Sequence, residues 1–170
     1  GKNDSLFKQS DRLFVGKSSY RMFKWDGYKL TDLAITSGPT SRTSIGNYED
    51  LRFWLTRIGI TAFAGDKPKY VSPPIQNQIF NTAGSGIAGT SFDNAQGVVH
   101  EHNYLLTSGT LTDTFVNRQI NDCVIKYDIQ HDDWTNYQLG NYPTALHSFV
   151  DNTRTPQLIF GDANGQCYQF

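Results

Sequence analysis

The chain has 170 residues and a mass of 19.2 kDa, which suits one ordinary domain with a core of its own. Lysine and arginine (15) nearly balance aspartate and glutamate (16), so the net charge of −1 provides none of the phosphate attraction on which nucleic-acid binders depend. No stretch approaches the ~20 apolar residues that a membrane-spanning helix requires. We therefore expect a single domain, or a fragment of a longer one, over 1–170, with no nucleic-acid partner and no membrane span, and we expect no cofactor.

Short β-prone segments separated by turn residues fill the first half of the chain. Glycine (15), proline (6) and aromatic residues (14%) recur at short intervals, and few windows show helical spacing of apolar residues. RLFVGKSSYRMFKWDGYKL predicts three strands, with Asp26-Gly27 as a tight hairpin turn. LRFWLTR and GITAFA predict two more strands. Helix is expected only as a turn or two near 74–80.

The second half repeats this pattern after a stretch of small residues. TAGSGIAGTS, at 82–91, predicts a loop or linker. An apolar strand followed by a hairpin restarts near 12, 51, 103 and 156, which is a period of about 40–55 residues, close to that of propeller blades. The sequence therefore predicts an all-β fold of about three to four antiparallel, β-propeller-like blades, as an open or partial propeller if the ring does not close.

Two hairpins near the end of the chain carry a family resemblance. CVIKYDIQHDDWTNYQLG resembles the kelch-like phrase in which a strand ending in Tyr-Asp runs through a polar turn to a tryptophan. Together with LIFGDANGQCYQF, it is more similar to blades in the propeller-type tail and neck proteins of tailed bacteriophages. The resemblance implies a structural or assembly component located in the virion, which binds other virion proteins. The alternative is a carbohydrate- or receptor-binding module.

The aromatic residues of the first of these hairpins allow two interpretations. Tyr127 and Trp134 can pair across the two strands, with the Asp128 carboxylate capping the turn. Alternatively, Trp134, Tyr137 and His131 form an exposed platform on which a sugar could stack.

The chain ends in a predicted strand that needs a neighbour for its backbone hydrogen bonds. We expect the edges near 6–15 and 158–170 to pair with each other, with a symmetry-related chain or with sequence outside this chain. Self-association through these edges would cover Phe160, Tyr168 and Phe170.

Alternation along the clearest strands predicts a core of large apolar and aromatic residues. Both cysteines lie in strand-like runs and are expected to be buried thiols. The residues expected to be largely buried are Phe14, Phe23, Trp54, Phe63, Tyr104, Ile125, Tyr127, Trp134, Ile159 and Tyr168.

Histidine and acidic residues suggest metal sites only weakly. His100 and His102 alternate on a predicted strand, so both imidazoles are expected on one solvated side, with no third ligand placed by spacing. Asp132-Asp133 and Asp162 with Asn164 lack the several oxygen ligands of a calcium loop and are expected to act as turn residues.

A hydrolytic triad can be assembled on paper from Ser44, His147 and Asp151. No Gly-x-Ser-x-Gly elbow marks the serine, so the pattern does not favour catalysis. We expect the protein not to be an enzyme.

Overall fold

The computed structural model describes residues 3–9, 12–17, 21–33, 38–65, 67–76, 95–113 and 118–170. These residues form fifteen β-strands in four antiparallel sheets, and within each sheet the strands pair in chain order. The predicted all-β class and the expected number of sheets are therefore confirmed.

Three of the sheets have four strands and the last has three. Sheet 1 contains β1 (Asn3–Gln9), β2 (Arg12–Lys17), β3 (Met22–Trp25) and β4 (Leu30–Asp32). Sheet 2 contains β5 (Gly46–Tyr48), β6 (Leu51–Thr56), β7 (Gly59–Phe63) and β8 (Pro68–Tyr70). Sheet 3 contains β9 (Gly97–His100), β10 (Asn103–Asp113), β11 (Arg118–Asp128) and β12 (Asp133–Gln138). Sheet 4 contains β13 (Pro143–Val150), β14 (Pro156–Asp162) and β15 (Cys167–Gln169).

In the described ranges, two short 3-10 helices interrupt the strands, at Arg42–Ser44 and Pro73–Ile75. The second begins the short helical piece that was predicted near 74–80, of which 77–80 lies outside the described residues. The predicted linker at 82–91 also lies outside them.

Aspartate side chains close several hairpins. The Asp26 carboxylate accepts hydrogen bonds from the backbone N–H groups of Tyr28 at 3.1 Å and Lys29 at 2.9 Å, while Gly27 adopts a φ of +100° that favours glycine. Asp128 accepts in the same way from two N–H groups of the β11–β12 turn, both at 3.0 Å. The predicted turn at Asp26-Gly27 and the predicted Asp128 cap are confirmed.

Sheets 1 and 2 pack face to face through aromatic rings. Phe7, Phe14 and Met22 of sheet 1 form one buried cluster with Trp54 and Phe63 of sheet 2. The rings of Phe14 and Phe63 meet edge to face, with centroids 5.2 Å apart.

The opposite face of sheet 2 packs on sheet 3. Phe53 and Leu55 alternate with Trp54 along β6, so they project from the other side of the sheet and cluster with Tyr104 and Ile125. The Phe53 and Tyr104 rings stack with centroids 5.4 Å apart. Sheet 2 is therefore buried on both faces.

Sheet 3 packs in turn on sheet 4. Leu105 and Val124, which project from the second face of sheet 3, cluster with Leu158 of β14. Leu146 and Tyr137 pack against this cluster. Three apolar clusters thus join the four sheets into a stack that follows the order of the sequence.

The first strand of sheet 3 closely approaches the 3-10 helix that precedes sheet 2. A Cβ at Gly97 in β9 would lie 2.4 Å from the Ser44 carbonyl oxygen, so only glycine fits there. The Tyr104 hydroxyl donates to the same carbonyl at 2.6 Å. Burial raises the pKa of Tyr104, which keeps the phenol in its neutral, donating form.

The predicted core is confirmed for six of its ten residues and is less buried at the other four. Phe14, Trp54, Phe63, Tyr104, Ile125 and Tyr127 are buried. Phe23, Trp134, Ile159 and Tyr168 are half-buried.

The two cysteines differ in exposure. Cys123 is a buried thiol, as predicted, whereas Cys167 is exposed. The expectation for Cys167 is wrong because the outer side of β15 carries no packed neighbour in the described part of the chain.

Candidate protein-binding faces

The four sheets do not close into a ring within the described part of the chain. Their apolar clusters join sheet 1 to 2, 2 to 3 and 3 to 4, and neither a strand pairing nor an apolar cluster joins sheet 1 to sheet 4 among the described residues. Because the sheets stack through their faces, each end of the stack is a sheet face on which no described sheet packs. We call these the sheet-1 outer face and the sheet-4 outer face.

Two rows of side chains cross all four strands on the sheet-1 outer face. The strand register aligns them as Lys8, Leu13, Trp25, Leu30 and as Leu6, Val15, Phe23, Asp32. Six of these eight residues are apolar. The same strands bury Phe7, Phe14 and Met22 on their other side, so sheet 1 is apolar on both faces.

Exposure is high at several apolar positions of the sheet-1 outer face. Leu6 is 62% exposed, Leu30 is 44% exposed and Trp25 is 38% exposed. Lys8 and an ion pair between Arg21 and Asp32 form a polar margin. An apolar centre with a charged margin is the arrangement found at protein–protein interfaces.

The sheet-4 outer face contains a row of small side chains. Its register brings together Ala145, Gly161 and Cys167 in one row and His147 and Ile159 in the next. Phe149 lies beside them, 40% exposed, with its ring stacked 6.1 Å from that of His147. Gln169 donates to Gln157 at 2.6 Å and forms part of a polar margin.

Sequence reasoning did not identify these faces, although a signal was present. Leu13-Phe14-Val15 in β2 and Leu158-Ile159-Phe160 in β14 are runs of consecutive apolar residues. Neighbouring residues of a strand project to opposite faces, so such runs indicate a strand that is apolar on both sides.

The predicted pairing of the two terminal edges with each other is wrong. β1 pairs with β2 and β15 pairs with β14, and no described strand pairs β1 with β15. The physical reason is that the sheets stack through faces, which carries the first and last strands away from a common edge. The other two alternatives for these edges stay predictions.

The predicted sugar platform is not assembled in one place. Trp134 and Tyr137 are three positions apart on β12 and therefore lie on opposite faces of sheet 3. The Trp134 ring packs 4.6 Å from that of Tyr127, and its indole N–H donates to the Val71 carbonyl at 3.2 Å. This confirms the predicted aromatic pair.

The other two platform residues have separate partners. Tyr137 meets Phe170 edge to face at 5.7 Å. The exposed His131 donates its backbone N–H to Asp128, and its ring nitrogen lies 3.0 Å from the same carboxylate.

The aromatic residues of the last two strands pack against one another beside sheet 3. Phe160 is buried, its ring stacks on that of Tyr168 at 4.9 Å, and it meets Phe170 at 6.1 Å. Phe170 remains 43% exposed. Phe170, which also meets Tyr137, therefore joins this aromatic group to sheet 3, and a further role of the three residues in self-association stays a prediction.

The His-Glu-His segment is a turn, which corrects the expectation that it alternates on a strand. Glu101 has a φ of +51° between β9 and β10. His100 lies 3.0 Å from the Ser148 hydroxyl of sheet 4, and His102 lies 2.9 Å from the Tyr48 hydroxyl of sheet 2. The two imidazoles therefore point to different neighbours.

The remaining polar candidates act locally in turns. The Ser44 hydroxyl is buried and donates to the Ser41 carbonyl at 2.7 Å, whereas the His147 ring stacks on Phe149 and Asp151 caps its own turn. Asp151 accepts from two backbone N–H groups of its own turn, and Asp162 does the same at 2.9 and 3.0 Å. Within the described ranges, no group of three His, Cys, Asp or Glu residues could hold a metal ion.

No protein-family model matches the sequence, and no curated protein is similar to it in sequence. Among the residues that the structure describes, no helix is long and apolar enough to cross a membrane.

Solved structures with the same arrangement of sheets are propeller proteins. The computationally designed protein Ika4 superposes with a TM-score of 0.58 and 11% identity, over 100% of this chain and 91% of that chain. BamB from Moraxella catarrhalis has a TM-score of 0.56 and 11% identity, over 97% of this chain and 42% of BamB.

BBS1N, crystallised in complex with ARL6DN, has a TM-score of 0.55 and 14% identity, over 98% of this chain and 49% of that chain. The chain therefore spans about half the length of BamB and BBS1N. At these identities the likeness concerns the fold alone, and the four stacked sheets are the blades of a partial β-propeller.

Proposed function

We propose that this protein is a structural module that binds other protein chains through the open ends of its blade stack. The observation that carries the proposal is the sheet-1 outer face, where Leu6, Trp25 and Leu30 are exposed together on one side of a sheet. Contiguous apolar surface of this kind marks interaction sites in proteins. The propeller BBS1N, whose structure holds a complex with ARL6DN, supports protein binding by this fold.

We further propose that the module works as a structural or assembly component of a virus particle, in the tail or neck of a tailed bacteriophage. The support is the resemblance of the YD…W and GD..G..Y hairpins to blades of such proteins. A virion component binds its neighbours permanently, which suits a surface of aliphatic and aromatic side chains better than one of charges.

Mass spectrometry of purified particles from the virus that encodes the chain tests this proposal. The protein should be present at a fixed copy number per particle. Leu30→Asp places a charge on the sheet-1 outer face and should deplete the protein from particles, whereas Tyr28→Asp, at a turn residue that is 95% exposed, should not. Absence of the unaltered protein from particles would refute the virion role.

A carbohydrate-binding module is not favoured by the arrangement of the tryptophans. Trp54 is fully buried, and Trp134 is half-buried and hydrogen-bonded. Trp25 is therefore the one exposed tryptophan of the three. Binding of a glycan that is abolished by Trp25→Ala would revive this alternative.

A further inference from the structure

We propose that the partner at the open ends is a second copy of this chain, and that two copies close one ring of eight blades. In this ring the sheet-1 outer face of each copy packs on the sheet-4 outer face of the other. The inference rests on the proposed protein-binding function and names the partner.

The strands of sheet 1 have the composition of a blade that is covered on both sides. In sheet 2, Phe53 and Leu55 pack on one neighbouring sheet while Trp54 packs on the other. β2 has the same pattern, with Phe14 buried between Leu13 and Val15, but here only the Phe14 side is covered by a described sheet. In the described part of the chain, no further sheet packs on the outer face of sheet 1.

Position in the stack determines which face is the complementary one. We call the face of a sheet that packs on the next sheet in the sequence its later side, and the face that packs on the preceding sheet its earlier side. Each contact within the chain joins the later side of one sheet to the earlier side of the next. The sheet-1 outer face is an earlier side and the sheet-4 outer face is a later side. Continuation of the same packing therefore places sheet 4 of one copy against sheet 1 of the other.

The two faces also complement each other in size. The sheet-1 outer face presents the large side chains of Trp25, Leu6 and Leu30. The sheet-4 outer face presents small residues in one row, including Ala145, Gly161 and Cys167. Large side chains that fill space above small ones give the dense packing of protein interiors.

The compared structures support closure by two copies. The four blades match 91% of the Ika4 chain, a designed propeller protein of about this length. The same blades match 42% of BamB and 49% of BBS1N, so two copies supply about the chain length of those propellers. Contacts between unlike faces close into a ring when the rotation between copies permits, and two copies close it around a two-fold axis.

Sedimentation equilibrium of the 170-residue chain tests the inference. We expect a mass of twice 19.2 kDa. Leu6→Asp on one face and Phe149→Asp on the other should each raise the dissociation constant at least about 100-fold, because each would bury an unpaired charge. Ile58→Asp is the matched control at a residue that is 54% exposed in the β6–β7 turn, and it should leave the mass unchanged.

Mixing the two variants identifies which faces meet. A mixed pair of Leu6→Asp and Phe149→Asp chains retains one unaltered contact between a sheet-1 and a sheet-4 face, so the mixture should form dimers that neither variant forms alone. A sheet-1 to sheet-1 contact would instead leave Phe149→Asp dimeric by itself, and would overturn the inference. Circular dichroism of each variant verifies that the fold is kept.

The Cys167 thiol provides a second measurement on the unaltered chain. It is exposed on the sheet-4 outer face of one copy, and Cys123 is buried. Its reaction with a maleimide should slow as the protein concentration rises and should be fast at every concentration in the Leu6→Asp chain.

Two outcomes separate this inference from the proposed function. A chain that sediments as a monomer at all concentrations, yet loses its place in particles when Leu30 is replaced, would overturn the second copy as partner and leave the protein-binding function standing. A chain that dimerises as described but is absent from particles would overturn the virion role alone.

Discussion

At the scale of single residues, aspartates that accept backbone hydrogen bonds hold the hairpins. Asp26, Asp128, Asp151 and Asp162 each accept two or more N–H groups of the turn that follows. The pKa of each carboxyl is lowered from 3.8 by hydrogen bonds. The chief donor is the backbone N–H of Lys29 for Asp26 and the backbone N–H of Gln166 for Asp162. It is the His131 side chain for Asp128 and the Thr153 hydroxyl for Asp151. The ionised carboxylates are stronger acceptors of these N–H groups than the protonated acids are.

These lowered pKa values predict loss of stability in acid. Because the folded-state pKa lies below the unfolded one, the contribution of each aspartate is complete above its ordinary pKa and is lost as the pH falls from about 5 through the lower folded value. The urea midpoint should fall over that range. Asp162→Asn should flatten this decline, whereas Glu101→Gln in the exposed β9–β10 turn should not. An unchanged decline in Asp162→Asn would contradict the prediction.

Truncation of tryptophans tests the burial of single side chains. Trp54 is fully buried between sheets 1 and 2, so Trp54→Ala should cost about 3–5 kcal/mol of unfolding free energy. Replacement of the half-buried Trp134 by alanine should cost less, about 2 kcal/mol of unfolding free energy. Urea denaturation of both variants measures the difference, and equal losses would show that the two indoles are equally enclosed.

At the scale of elements, the sequence predicted hairpins well and the orientation of side chains poorly. The turn at Asp26-Gly27 could be predicted because an Asp-Gly dipeptide between two β-prone runs is typical of a tight hairpin turn. The turn at Glu101 was not, because a non-glycine residue with positive φ leaves little trace in the sequence. The separation of Trp134 from Tyr137 could have been predicted, because residues three positions apart on a strand project to opposite faces.

The close approach of β9 to the 3-10 helix that precedes β5 gives a prediction at this scale. Gly97→Ala places a Cβ within 2.4 Å of a backbone oxygen that cannot move easily, and should cost about 1–3 kcal/mol. Gly140→Ala is the matched control, because its Cβ would meet nothing within 4 Å. Urea denaturation should show the loss in Gly97→Ala alone, and equal midpoints for the two variants would contradict this account of the strand contact.

At the scale of the whole molecule, the fold class and the number of sheets followed from the period of strands and turns. What joins the sheets did not follow, because strand pairing is local in the chain whereas face-to-face packing depends on residues far apart. The expectation about the terminal edges considered the unpaired backbone groups of the edge strands and not the side chains on the outer sheet faces. A stack of blades also ends in faces, and Leu13-Phe14-Val15 is the part of the sequence that indicates this.

The central claim is that the outer faces of the stack bind a second copy of this chain. Hydroxyl-radical footprinting over a range of chain concentrations measures it directly, by comparing Trp25 on the sheet-1 outer face with Tyr28, which is 95% exposed in the adjacent turn. We predict that Trp25 becomes protected from oxidation as the concentration rises while Tyr28 stays reactive. Equal reactivity of Trp25 at all concentrations would contradict the claim.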